Sequence, residues 1–220
     1  TISDGGTLVG TNSATAVSGI ATFLDLGIGG LADTTYTVTF TALGLTSFDT
    51  RCTITYCVGS TGPSGGIVFY IAETFFTSTG SLCDTTCTYL EAAPENWGNG
   101  ITVAEGESTG SLIVDPRLKW CSDTANSRNS YQPSIGKGRQ NTATGTAVGW
   151  QPCTSGAIFQ AGSYRGGGHA DWFLPSQYEF YQLCRAVWNQ TVSNANSCSG
   201  VSGTVRSDFD GGAFWTSTET

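Results

Sequence analysis

Eight cysteines constrain the fold of this 220-residue chain more than any other feature. Their number is even, and they are spread among Gly, Ser and Thr over the last three quarters of the sequence, at Cys52, Cys57, Cys83, Cys87, Cys121, Cys153, Cys184 and Cys198. Such a pattern predicts a framework of disulfides, which forms in an oxidising compartment. We therefore expect an extracellular protein, either secreted or held at a cell surface.

The spacing of these cysteines favours local disulfides over a metal site. Zinc sites need four soft ligands in closely spaced pairs, and only Cys83 and Cys87 approach such a spacing. Short segments close into loops at a modest entropic cost. We therefore expect the pairs Cys52–Cys57, Cys83–Cys87, Cys121–Cys153 and Cys184–Cys198. Because eight cysteines allow many connectivities, other pairings and zinc binding stay open at this point.

Composition excludes several classes of partner. The chain has 17 acidic and 9 basic residues, a net charge of -8, whereas a nucleic-acid-binding protein presents a basic face. No apolar run approaches the length of a membrane span, and no basic-then-apolar signal opens the chain. We expect no nucleic-acid partner and no membrane span. We also expect the chain to be a mature form or a fragment of a longer protein.

A change of composition near residue 50 divides the chain. Residues 1–49 contain no cysteine and no basic residue, and they hold short β-rich runs at 14–17, 21–26 and 36–43. In residues 36–42 apolar residues alternate with Thr, which indicates a half-buried strand. The sequence predicts part of an antiparallel sandwich over residues 1–50, a connector over 51–61 and a second domain over 62–220.

Three strings in the first segment resemble the latter half of a bacterial immunoglobulin-like module. They are GGTLVG at 5–10, AVSGIATFLDL at 16–26 and YTVTF at 36–40. Such modules are stalk units of surface proteins. The resemblance implies that the first strands of the sandwich lie upstream of Thr1. Because half a sandwich exposes sheet edges, we expect either a longer chain or a neighbouring molecule to supply the missing strands.

The clearest helical signal lies near the end of the chain. Ser176 and Glu179 form a capping box, in which each side chain accepts the other's backbone amide. Apolar residues then recur at helical spacing, at Phe180, Leu183, Cys184 and Val187. The sequence predicts an amphipathic helix over 177–188.

Five ordered strings resemble the C-terminal domain of bacterial collagen-like adhesins. They are GPSGGIVFY at 62–70, YLEAAP at 89–94, IGKGRQNT at 135–142, DWFLPSQYE at 171–179 and FWTSTE at 214–219. The resemblance implies a fold similar to C-type lectins, an α+β arrangement with long irregular loops. It also implies a non-enzymatic extracellular module that binds sulfated polysaccharides and forms trimers. In that family further strands follow the last string, whereas this chain stops at Thr220.

Basic and aromatic side chains are the candidate ligand-binding residues. The net negative charge opposes the approach of a sulfated polymer, but local basic groups in loops offset it. The basic candidates are Arg128, Lys137, Arg139 and Arg165. Trp97 is the tryptophan that we expect to be exposed for stacking on a sugar, whereas we expect Trp172 and Trp215 in the core. The alternative interpretation of the basic residues is solvated loop charges.

Cofactor and enzyme motifs are weak. Asp208 and Asp210 precede two glycines and form a candidate calcium half-site, the alternative being an Asp-Gly turn. A G-x-S-x-G string surrounds Ser64, but β-branched and aromatic residues follow it where a hydrolase elbow has a helix. His169 has no nucleophile nearby in sequence. We therefore predict that His169 lies in a turn and that the protein is not an enzyme. We also predict that it has no cofactor, with calcium as the alternative.

Two functions follow from these patterns. The first is an extracellular adhesion module on an immunoglobulin-like stalk, which binds a polysaccharide or another surface polymer. The alternative is a structural subunit of an extracellular fibre, in which strand pairing between chains completes the sandwich. Both imply a homo-oligomer or a polymer.

Overall fold

The computed structural model describes most of the chain. The described residues are 1–24, 26–31, 34–53, 55–94, 97–98, 101–104, 106–108, 116–123, 127–147, 151–187 and 214–219. Their strands are β1 (Thr7–Val9), β2 (Gly27–Gly29), β3 (Tyr36–Phe40), β4 (Phe48–Cys52), β5 (Ile67–Phe76) and β6 (Cys87–Ala92). Their α-helices are α1 (Gly138–Thr146), α2 (Ala157–Ser163) and α3 (Gln177–Val187), with a 3-10 turn at Gly166–Gly168.

The strands form three small antiparallel sheets of two strands each, namely β1 with β2, β3 with β4 and β5 with β6. Strands precede helices along the chain, so the architecture is broadly α+β, as the sequence predicts. No described helix is long and apolar enough to cross a bilayer.

The hairpin of β3 and β4 follows from the alternation in residues 36–42. Tyr36 lies opposite Cys52 and Phe40 lies opposite Phe48, and the apolar side chains at the start of β3 are buried. The strand ends at Phe40 because the chain then turns: the Leu45 amide donates to the Ala42 carbonyl at 3.2 Å.

Two of the predicted β runs are not strands. In the run at 14–17, Val17 makes only an isolated bridge with Ile20, and both side chains are exposed. Residues 21–24 of the next run are outside any strand, and Asp25 lies outside the described residues. Apolar composition alone does not make a strand when no second strand lies alongside to accept its hydrogen bonds.

Three disulfides connect the predicted partners Cys52–Cys57, Cys83–Cys87 and Cys121–Cys153. Cys184 is also disulfide-bonded, whereas Cys198, its predicted partner, lies outside the described residues. Disulfides of this kind are typical of proteins of an oxidising environment.

The core is divided into small clusters rather than one large one. Phe69, Leu90 and Ala92 of the β5–β6 sheet pack against Leu183 of α3. A second cluster surrounds the Cys121–Cys153 disulfide and contains the buried Ile158 of α2. Helix α3 therefore docks on the sheet through Leu183 of its predicted apolar stripe, whereas Phe180 and Cys184 of that stripe pack with Phe214.

The first segment is joined to the β5–β6 sheet at a few points. Arg51 of β4 forms an ion pair with Glu73 of β5, and the Thr35 hydroxyl donates to the Ala72 carbonyl at 2.8 Å. Strand β4 runs across the predicted boundary at residue 50 and ends at the Cys52–Cys57 disulfide. The domain division itself stays a prediction.

Candidate functional site

An apolar cleft of about 580 Å³ lies between the end of β6, helix α2, helix α3 and the loop that precedes α3. Its volume falls within the range of about 300 to 1,000 Å³ that is common for ligand sites. Most of the lining side chains are aromatic or aliphatic, including Phe69, Trp97, Tyr164, Trp172, Phe180 and Trp215. Among the described lining residues, Glu91 and Arg117 carry the charges.

Three of these aromatic rings form a row on the wall of the cleft. The ring centroids of Trp97 and Tyr164 are 5.9 Å apart, and those of Tyr164 and Trp172 are 5.2 Å apart, both with edge-to-face geometry. The Trp172 indole donates to the Gly166 carbonyl at 2.9 Å, and burial raises the pKa of the Tyr164 hydroxyl. Edge-to-face contacts fix the orientation of each ring, so the three rings hold one another in place on the wall.

The tryptophans differ in part from the sequence prediction. Trp97 is half-buried against Tyr164 rather than freely exposed, although it lines the cleft. The prediction that Trp215 belongs to the core is wrong, because its side chain is 51% exposed. The Trp215 indole donates to the Leu118 carbonyl at 2.7 Å. Trp120 packs against the cluster around the Cys121–Cys153 disulfide.

Arg128 is buried rather than solvated. Its side chain is 1% exposed, and its guanidinium lies 3.3 Å from the Asp123 carboxylate. The same guanidinium donates to the Asp123 carbonyl at 3.0 Å, and the Arg128 amide donates to Glu219 at 2.7 Å. Contact between Arg128 and a ligand therefore requires this loop to move.

The other basic candidates lie in two places. Lys137 and Arg139 are half-buried at the start of α1, where the Lys137 ammonium donates to the Gln140 side chain at 3.2 Å. Arg165 is exposed beside the aromatic row, and its guanidinium donates to the Gly162 and Tyr164 carbonyls at 2.9 and 2.6 Å. The structure thus places Trp97 and Arg165 next to Tyr164, whereas Lys137 and Arg139 lie at the start of α1.

The remaining motifs of the sequence analysis are the candidate calcium half-site and the candidate enzyme residues Ser64 and His169. Asp208 and Asp210, the candidate calcium half-site, lie outside the described residues. Within the described part of the chain, no three His, Cys, Asp or Glu side chains are close enough to share a metal ion. The chain passes from Ser64 directly into β5, and the His169 amide closes the 3-10 turn on Gly166 at 3.2 Å.

Glu91, a half-buried carboxylate that the sequence analysis did not assign, holds the loop that precedes β5. Glu91 accepts the amides of Gly66 at 2.7 Å and Ser64 at 3.3 Å. Because Glu91 and Gly66 belong to different strings of the adhesin resemblance, this contact joins two of those strings. Both residues belong to strings of the adhesin resemblance, and that was the signal from which the contact between Glu91 and Gly66 could have been predicted.

Glu179 connects two further strings. Its carboxylate accepts the amides of Gly136 at 2.8 Å, Gly138 at 3.1 Å and Ser176 at 2.7 Å. Burial raises the pKa of Glu179, and the hydrogen bonds from Ser176, Gly136 and Gly138 oppose that rise without cancelling it. The capping box predicted the contact with Ser176, but the two glycine amides are distant in sequence and carried no local signal.

The last string is tied to the same network. The Ser217 amide donates to the Pro175 carbonyl at 2.7 Å, and the Asn141 side chain donates to the Ser217 hydroxyl at 3.3 Å. These contacts hold the chain that carries Trp215 at the edge of the cleft. Comparison of the chain with protein-family models, with curated proteins and with solved structures found no match.

Proposed function

We propose that the protein is a non-enzymatic extracellular surface protein that binds carbohydrate through a C-type-lectin-like domain carried on an immunoglobulin-like stalk. The observation that carries the proposal is the row of Trp97, Tyr164 and Trp172 on the wall of the cleft. Aromatic rings offer broad apolar platforms, on which the C–H face of a sugar stacks. Glu91 and Arg117 line the same cleft and supply polar partners for sugar hydroxyls.

Support for the lectin-like domain comes from the contacts between the five strings of the adhesin resemblance. Glu91 joins the first string to the second, and Glu179 joins the third to the fourth. The Ser217 amide joins the fifth string to the fourth. Residues that recur together in a family are expected to form its scaffold, and here they form two hydrogen-bonded groups, one at Glu91 and one at Glu179 and Pro175, with Glu91 and Pro175 on the wall of the cleft.

The proposed test is a glycan array that carries both sulfated and neutral polysaccharides, followed by calorimetric titration of any ligand that binds. Loss of one stacking ring removes about 0.5 to 1.5 kcal/mol beyond the area that it buries. We therefore expect Trp97→Ala to weaken binding by about tenfold. Phe75→Ala is the matched control, because Phe75 is an exposed aromatic residue that does not line the cleft.

Two results would overturn the proposal. One is an array on which no carbohydrate binds. The other is a ligand for which Trp97→Ala and Phe75→Ala have equal affinity, because binding would then lie away from the aromatic row. Lys137→Ala and Arg165→Ala, titrated against a sulfated ligand, would show which of the two basic regions contributes.

A second function, a structural subunit of an extracellular fibre, is favoured by a different observation. Of the thirteen large hydrophobic residues that are exposed in the described part of the chain, eight lie in residues 1–50. Contiguous exposed apolar surface marks an interaction site, and the exposed Phe48 ring of this segment lies against that of Phe40, with centroids 6.4 Å apart. Electron microscopy of the native particle tests this function, because a fibre subunit forms an ordered polymer whereas a separate adhesin does not.

A further inference from the structure

The hairpin of β3 and β4 ends in an exposed apolar projection. The connecting turn places Leu43 and Leu45 at its end, and Gly44 between them has a φ of 79°, a conformation that glycine adopts readily. Leu43 is fully exposed, Leu45 is 73% exposed and Phe48 is 49% exposed. We call the group of Phe23, Phe40, Leu43, Leu45 and Phe48 the hairpin tip.

Aromatic contacts join the three phenylalanines of the hairpin tip. The ring centroids of Phe40 and Phe48 are 6.4 Å apart, and those of Phe23 and Phe40 are 5.4 Å apart. No charged residue occurs between residues 34 and 48. Removal of apolar surface from water is favourable, so an uncharged tip of this kind gains free energy when a partner covers it.

The same chain carries an apolar receptor that the tip does not fill. The described residues that line the aromatic cleft begin at Phe69 and end at Trp215, so no residue of the hairpin tip contributes to its wall. The cleft volume of about 580 Å³ is large enough for side chains such as Leu43 and Leu45 to enter together. A projection and a matching cleft are thus present on separate parts of one molecule.

We propose that the hairpin tip of one copy inserts into the aromatic cleft of a second copy, head to tail. This inference rests on the proposed function as a fibre subunit and names its contact. Because the two surfaces differ, the contact leaves a free tip at one end of each pair and a free cleft at the other. Such a heterologous contact generates an open filament unless the rotation closes a ring.

Charge favours this arrangement over contact between two tips. Two charged residues line the described cleft: Glu91 is half-buried and accepts two backbone amides, whereas Arg117 is exposed. Exposed Asp49 directly follows the hairpin tip, so insertion brings it toward the exposed Arg117. Two tips that meet about a twofold axis would bring two Asp49 carboxylates together instead, which opposes association. The chain also carries a net charge of -8, so copies approach with least repulsion through the uncharged tip.

The experiment is sedimentation velocity of the full chain over a series of concentrations. We expect the wild-type protein to form species larger than a dimer as concentration rises, and we expect the tip variant Leu43→Asp/Leu45→Asp to sediment as a monomer. Leu31→Asp is the matched control, because Leu31 is an exposed leucine of the same segment that lies outside the tip. It should associate as the wild type does.

A mixing experiment identifies the heterologous contact. Arg117→Glu places a like charge opposite Asp49 and impairs the cleft, while the tip of that variant is intact. An equimolar mixture of Arg117→Glu with the tip variant should therefore give a dimer and nothing larger. The charge-swapped double variant Asp49→Arg/Arg117→Glu should regain the association that Arg117→Glu alone loses. Near-ultraviolet circular dichroism establishes that each variant is folded.

Each of several outcomes would overturn the inference. These are a wild-type protein that stays monomeric up to its solubility limit, association that stops at a symmetric dimer, and a tip variant that associates normally. Binding of the wild type to neutral lipid vesicles, lost in the tip variant while sedimentation shows a monomer, would assign the tip to a membrane surface instead. Carbohydrate binding is measured separately on the monomeric tip variant. Failure of the carbohydrate-binding proposal is therefore distinguishable from failure of the head-to-tail contact.

Discussion

Glu179 is fully buried, and its carboxylate accepts three backbone amides from two loops. Desolvation favours the neutral form of a buried carboxyl group, whereas hydrogen bonds to the carboxylate favour the charged form. Burial is the larger effect here, so the pKa of Glu179 is raised. The contacts between these loops therefore include a side chain whose pKa differs between the folded and unfolded chain.

The variant Glu179→Gln tests this dependence. Glutamine has one acceptor oxygen where glutamate has two, so at least one buried amide loses its partner, at a cost of about 1 to 3 kcal/mol in free energy of unfolding. Because the folded pKa is raised, the proton contributes stability below the unfolded carboxyl pKa of about 4.3, and this contribution is lost as pH rises through the folded pKa. The stability advantage of wild type over Glu179→Gln should therefore shrink as pH rises.

Urea unfolding of both proteins from about pH 4 to pH 8 measures that advantage. Glu73→Gln is the control, because the Glu73 side chain is 73% exposed and should contribute little at any pH. An advantage that grows with pH would contradict the prediction and show that the hydrogen bonds outweigh burial.

At the scale of elements, the Cys121–Cys153 disulfide organises the start of α2. It joins two segments that are 32 residues apart in sequence. Beside it, the Ala157 and Ile158 amides donate to the Lys119 and Trp120 carbonyls at 2.7 and 3.2 Å. Helix α2 carries part of the cleft wall, so the disulfide positions one side of the candidate site.

Removal of this disulfide should cost more stability than removal of a short one. In the chain-entropy account, the double variant Cys121→Ala/Cys153→Ala loses about 3 to 4 kcal/mol, whereas Cys83→Ala/Cys87→Ala, with its loop of a few residues, loses about 2 kcal/mol. Urea unfolding of the two variants measures the difference. Equal losses would show that loop closure is not the main contribution of either disulfide.

Local signals explain which elements the sequence predicted. The capping box at Ser176 predicted α3, alternation with Thr predicted β3, and short spacings predicted the Cys52–Cys57 and Cys83–Cys87 disulfides, because each depends on residues close together in sequence. The runs at 14–17 and 21–26 failed because pairing with a distant strand decides whether an apolar run is extended. The lining of the cleft, with its row of Trp97, Tyr164 and Trp172, comes from segments that are far apart in sequence, so spacing alone does not predict it.

At the scale of the whole molecule, the two ends of the chain are stabilised differently. All nine basic residues and all eight cysteines lie at or beyond Arg51. The β5–β6 sheet packs against α3, whereas β1 and β2 are three residues long and leave Val9 exposed. The first segment therefore has less buried surface to oppose local unfolding, and it gains stability from any neighbour that covers it.

Hydrogen exchange should show this difference directly. In dilute solution we expect the amides of β3 and β4 to exchange faster than those of β5, because local opening is easier where few apolar contacts are buried. If copies associate through the hairpin tip, a rise in protein concentration should slow exchange in β3 and β4 by mass action. The variant Leu43→Asp/Leu45→Asp should show no such slowing. Equal protection of β3 and β5 in dilute solution would mean that the first segment is stable without a partner.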